Sequence, residues 1–286
     1  MIEEIGKPMN TITGQMQAVT INQELNMTNL LQQLQISGNS IIYEEDEHGR
    51  TLLMRVCMIN HSKTAQTVRW LLDHHSLLDY QDNNGKTAVH YAAHYNSPEI
   101  LSILLTHPAD FIDRDSVWDL PDNHGRTALF YASPENINIL LSAGASASHI
   151  DNYGLSPLLY YIQQGNDTCI GELVNNNSEL IYKVAPCGLT AMHAALIMKN
   201  YGLLSAFVYS VSALEVKTPN TKGQTVMDMA IANKDYEAVN ILWSSWAFSE
   251  QDLERWIGSA SCAEEEWKEL LSKLKLNRRL SRAQCI

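Results

Sequence analysis

The feature that most constrains this chain is a short signature that returns six times. Glycine, then Thr or Ser two residues on, then an apolar run, occurs as GRTLLM at Gly49, GKTAVH at Gly85, GRTALF at Gly125, GLSPLL at Gly154, GLTAMH at Gly188 and GQTVMD at Gly223. The intervals are 36, 40, 29, 34 and 35 residues. Self-similarity at a period of roughly 20–50 residues implies stacked supersecondary units, because one such unit cannot bury its apolar face alone. The length of 286 residues and an apolar fraction of 45% are enough to fill a core of that kind.

Each unit divides the same way, as in TAVHYAAHYN followed by SPEILSILLTH between Thr87 and His107. Two apolar segments at helical spacing flank a polar break, which predicts helix, turn, helix. Upstream of the glycine stands Asp46, Asp82, Asp122, Asp151 or Asn220. Such a side chain accepts from backbone N–H groups just ahead of it, and glycine takes a positive φ without a Cβ clash. The Thr at glycine plus two is placed to cap the first helix.

These residues resemble the ankyrin-repeat family, whose unit reads DxxGxTPLHxAA, then a VxxLLL helix, then GA. The second copy, DNNGKTAVHYAAHYNSPEILSILL, follows that pattern closely; the third keeps DNHGRTALFYA and LLSAGA, and the fourth DNYGLSPLLYY. The resemblance spans residues 46–243 and implies an all-α solenoid of β-turn and helix-turn-helix units. The copies have drifted. Repeat one has three extra residues around His61 to Thr64, and repeat two has seven within Pro108 to Pro121. Repeat three is four residues short, with Ser133 and Pro134 cutting off its first helix, and repeat five replaces the leading Asp with Ala185 and Pro186.

A stacked array exposes an apolar face at each end that atypical elements must cover. The expected organisation is a loose segment at 1–20, an amino-terminal capping helix within 21–45 that carries Leu25, Leu30, Leu31 and Leu34, six repeats over 46–243, and a helical cap with a basic tail over 244–286. In that last segment SEQDLERWIG and AEEEWKELLSKLKLN read as two helices, with Ser249 and Asp252 forming a capping box for the first.

The formal charge of −12 argues against nucleic acid or anionic lipid as a general partner, since phosphate-reading surfaces need excess Lys and Arg. The cations Lys268, Lys273, Lys275, Arg278, Arg279 and Arg282 gather behind an acidic body. Five widely spaced cysteines without a CxxC pair, and acids rather than bases in MIEEIGKPMN, suit a reducing, cytoplasmic setting. No run approaches the roughly 18 apolar residues of a membrane span. A monomer is expected.

The histidines and cysteines are the residues best suited to chemistry. His90 and His94 are four apart, a spacing two metal ligands can share, but no HExxH pattern accompanies them. The resemblance makes His90 and His193 the TPLH histidines, whose task is to bond neighbouring backbone. Cys187 and His193 carry no hydrolase motif, and no Walker loop, GxGxxG, GxSxG or kinase signature is present. The expectation is a non-catalytic protein without cofactor or metal.

What remains is recognition of another protein. By resemblance, partners bind on a concave face lined by the turn tips and the exposed start of the second-helix connection. Those positions are Glu47, His48 and Arg50; Asn83, Asn84, Lys86, His94 and Tyr95; Asn123, His124 and Arg126; and Asn152, Tyr153, Gln163 and Gln164. The insertion PADFIDRDSVWDLP adds Phe111 and Trp118, which either fold back over the array or project as an aromatic anchor. Two function classes follow: an adaptor, scaffold or inhibitor that works through the solenoid, or a bacterial effector or targeting subunit whose C-terminal helices carry a second activity.

Overall fold

The computed structural model describes residues 42–95, 98–106, 114–257, 269 and 271–275, all of whose regular elements are helical. Among these residues two compact units separate, an N-terminal one of residues 42–161 with 168–176 and a C-terminal one of 162–167 with 177–275. The segment expected to be loose at 1–20, most of the expected amino-terminal cap, and Phe111 lie outside the described residues; Ile42, at the cap's end, is buried.

In the N-terminal unit the helices come in pairs. Helix α1 (Leu52–Cys57) pairs with α2 (Thr64–Asp73), and α3 (Ala88–His94) with α4 (Pro98–Thr106). A 3-10 turn at Ala128–Phe130 stands where the third repeat's first helix belongs, followed by α5 (Pro134–Ser142). First elements pack on first elements (α1 on α3, α3 on the 3-10 turn) and second on second (α2 on α4, α4 on α5), giving two layers around one apolar seam. Helices α6 (Pro157–Gln164), which begins in this unit, and α7 (Asp167–Asn176), most of which lies in it, come next in the chain.

The third repeat's shortening has the local cause expected from Ser133 and Pro134. Pro134 opens α5 and has no N–H to continue a preceding helix, while Ser133 is extended (φ −68, ψ 161) and its N–H bonds Ala93 O at 3.1 Å. The insertion in repeat two returns to the unit over the 3-10 turn Arg114–Asp119. Val117 is buried, Asp119 Oδ1 accepts from Ser146 N–H at 3.1 Å, and the Trp118 indole lies against Gly144, where a Cβ would come within 3.7 Å of Nε1. Trp118 is therefore half-buried in the fold, not the projecting anchor of the other expectation.

The C-terminal unit repeats the scheme with a 3-10 turn Ser178–Ile181, α8 (Ala191–Ile197), α9 (Tyr201–Ser210), the single turn α10 (Ala213–Val216), α11 (Val226–Ala232), α12 (Tyr236–Ser244) and α13 (Glu250–Ile257). Here α8 packs on α11 and α9 on α12. The capping box read from Ser249 and Asp252 forms, with Ser249 N–H on Asp252 Oδ2 at 2.8 Å and Asp252 N–H on Ser249 Oγ at 3.2 Å. Leu253, Trp256 and Leu271 are buried, and Trp243 Nε1–H donates to Leu274 O at 3.1 Å.

Why repeat six reads TVMD instead of a TPLH-like run becomes clear at α13. In repeats two and five the histidine does two things. His90 Nδ1 accepts from Thr87 N–H at 3.1 Å while Nε2–H donates to Arg126 O at 3.0 Å in the next repeat, and His193 likewise joins Thr190 to Gln224 O at 3.0 Å. After repeat six comes a donor, not a carbonyl. Asp228 caps Thr225 N–H at 2.8 Å and receives Trp256 Nε1–H at 2.5 Å on its other oxygen. A pure acceptor thus replaces a donor–acceptor where the stack meets its closing helix. In repeat three Phe130 holds the histidine's place, and among the described residues the buried Thr127 hydroxyl is left without a partner.

Candidate functional site

The expected binding positions sit on turns built almost entirely from their own hydrogen bonds. In each of the first four turns the Asp Oδ1 accepts two backbone N–H groups: His48 and Arg50 on Asp46, Asn84 and Lys86 on Asp82, His124 and Arg126 on Asp122, Tyr153 and Leu155 on Asp151, all at 2.8–3.0 Å. The glycine closes the turn with N–H to the Asp carbonyl, at 2.8 Å from Gly85 and Gly125, in the left-handed region (φ +78 and +74).

The turns then stack. Asn83 N–H donates to His48 O at 3.0 Å, Asn123 N–H to Asn84 O at 2.9 Å and Asn152 N–H to His124 O at 2.9 Å. A second rung is made by the asparagine side chains: Asn123 Nδ2 to Asn83 O at 2.9 Å, Asn152 Nδ2 to Asn123 O at 3.1 Å, and a longer contact from Asn83 Nδ2 to Glu47 O at 3.4 Å. A Cβ on Gly85 or Gly125 would fall 2.7 or 2.4 Å from the next asparagine, so glycine is required by both φ and contact. Asn83, Asn123 and Asn152 are exposed, yet their amide donors serve the ladder. The signal was present in the sequence as Asn at one turn position in three successive repeats.

The outer Asp oxygens divide the cations that follow each glycine. Arg50 turns back on its own Asp46 (Nε to Oδ2, 2.8 Å). Tyr91 and Tyr131 hydroxyls fill Asp82 and Asp122 Oδ2 at 2.5 and 2.6 Å, and burial first, with the carboxylates second, pushes both phenols up. Lys86 is half-buried with Nζ 3.9 Å from the Tyr131 ring centroid, and desolvation lowers its pKa against the pull of Asp122 and Asp82.

Arg126 departs from expectation. It is 2% exposed, its Nε donates to Asp151 Oδ2 at 3.0 Å, and its guanidinium lies 4.5 Å from the Tyr160 ring. The cause is one repeat away: Leu155 stands where a cation would serve Asp151, so the neighbouring repeat supplies one. Arg126 is a structural ion pair and cannot reach a partner.

What the N-terminal unit leaves at its surface is a smaller set. Glu47, His48, Asn84, His124 and Tyr153 are exposed on the tips, with the His124 and Tyr153 rings 6.4 Å apart. His94 and Tyr95 are exposed at the end of α3 and meet edge-to-face at 5.0 Å. Gln163, half-buried, and Gln164, exposed, belong to the C-terminal unit. There Gly188 (φ +90) accepts from Thr221 N–H at 3.1 Å, and Asn220 takes the Asp role toward Lys222 and Gln224 N–H. Pro186, at the position of Asn83 and Asn123, has no N–H to give.

His90, one of the two histidines at metal-ligand spacing, is tied into the fold. Both nitrogens of His90 are used within the backbone, and burial pushes its pKa down to about 4. Among the described residues no three His, Cys, Asp or Glu side chains gather as ligands, and no helix is long and apolar enough to cross a membrane.

Comparison with known proteins agrees with this geometry. Residues 16–115 match the family model for ankyrin repeats, in three copies. Among solved structures, the ankyrin repeat domain of Bcl-3, a unique member of the IkappaB protein family, is similar at a TM-score of 0.59 and 22% identity, over 75% of this chain and 90% of that one. At that identity the likeness speaks for the fold. No curated protein matches the sequence.

Proposed function

The chain is an ankyrin-repeat protein, and from that premise we propose that it is a non-catalytic adaptor, scaffold or inhibitor that binds another protein through the turn tips and first-helix ends of its N-terminal unit. One observation carries the reading. Tyr153, 47% exposed, and Tyr95, 36% exposed, are presented with His48, His94 and His124 on a backbone whose own hydrogen bonds are already spent on stacking. Rigid, amphipathic rings lose little entropy on binding, which favours them as anchors.

Burial of Trp256 of α13, with its indole on Asp228 of α11, and of Leu271 beside the Trp243–Leu274 bond supports a capping role for the C-terminal helices over a second activity. Buried Cys57, whose thiol burial pushes up, and buried Cys169 suit the reducing setting expected from the sequence.

The test is affinity capture from lysate with wild-type protein beside the Tyr95→Ala/Tyr153→Ala variant. A protein lost only from the variant, with thermal unfolding unchanged, is the expected result. Retention of every captured protein would remove these rings from the interface.

A further inference from the structure

Asn84–Gly85 is the single Asn-Gly step in the sequence, and it lies at the tip of the second turn. Gly85 offers a backbone nitrogen with no Cβ to shield it, next to an exposed side-chain amide that makes no hydrogen bond among the described residues. This is the arrangement for intramolecular deamidation. The deprotonated Gly85 nitrogen attacks Asn84 Cγ, a new C–N bond closes a succinimide, the bond to the side-chain nitrogen breaks, and ammonia leaves with the displaced proton. Water then opens the ring to aspartate or isoaspartate.

We propose that Asn84–Gly85 is a deamidation site that the folded second turn keeps closed and that opening of the second repeat releases. Three contacts hold it. Gly85 N–H donates to Asp82 O at 2.8 Å, so the proton that must leave is engaged. Asn84 N–H is fixed on Asp82 Oδ1 at 2.9 Å, and Asn84 O accepts the Asn123 rung at 2.9 Å. Ring closure needs rotation about the Asn84 Cα–C bond, which carries that carbonyl away from Asn123 and the glycine nitrogen away from Asp82. The reaction therefore waits for local unfolding, as amide hydrogen exchange does.

The product marks its history. Either product adds a carboxylate to an exposed tip two residues from Lys86, and isoaspartate also inserts a methylene into the main chain between the Asp82 turn and Gly85. A molecule that opened and reacted refolds with an altered rung between the second and third turns. This modification is independent of what binds the face.

The experiment follows the full chain at mildly alkaline pH and physiological temperature by peptide mass spectrometry, folded, in urea, and as folded Leu104→Ala, whose lost methyl groups loosen the same repeat. In urea, Asn84 should convert ahead of every other asparagine and at least about tenfold faster than in the folded protein, with Leu104→Ala between the two. Equal rates folded and unfolded, another asparagine leading in urea, or no acceleration in Leu104→Ala would each overturn the proposal.

Discussion

A histidine 2% exposed, accepting at one nitrogen and donating at the other, serves the fold only while neutral. Protonation of His90 takes away the acceptor for Thr87 N–H, and burial holds its pKa at about 4 against a usual 6.5. The folded state therefore binds fewer protons than the unfolded state between those values. Stability from His90 is complete above pH 6.5 and is lost as pH falls toward 4, by about 3 kcal/mol in all. Urea unfolding across that range should show the loss, and a His90→Gln variant, less stable at neutral pH, should show a shallower slope. The fate of individual residues also marks how far sequence reasoning reaches. The capping Thr, the Asp and the Gly are legible because their partners are within four residues. Arg126 was not, because its partner Asp151 is 25 residues on and its platform, Tyr160, further still. The readable signal was a gap, Leu155 in the cation's place of the following repeat.

At the scale of the element, α1 and α3 have six and seven residues, too short to stand alone in water. They persist because each is capped by its Thr and sealed by its second helix and neighbours. α4 contributes Leu101 and Leu104 to that seal, both buried. Leu104→Ala should cost about 2–5 kcal/mol through the cavity it leaves, read as a lower urea midpoint with an unchanged slope. The glycine spacing gave the order of helices in advance, and Ser133–Pro134 the truncation of one. Whether the Trp118 segment folded back was not legible, because that depends on Gly144, in the turn that follows α5, offering a surface without a side chain.

At the scale of the molecule, stability is the sum of near-neighbour interfaces, so damage should stay local. Leu271 is fully buried where the C-terminal segment closes on α12 and α13, and Lys275 pairs there with Glu254. Leu271→Ala should lower protection of α12 and α13 amides in hydrogen exchange by the equivalent of about 2–5 kcal/mol and leave α1 to α4 unchanged. The stacked turns carry one more implication. In repeats two to four the first of their four residues supplies the side-chain acceptor, the second the rung donors and the fourth the positive φ, while the third residue of repeats one to three gives the rung its backbone carbonyl. Along the N-terminal unit that third place reads His48, Asn84, His124 and Tyr153. It is a writable column on a fixed page: the side chain at that place can change, letter by letter, while every backbone and asparagine rung described above is kept.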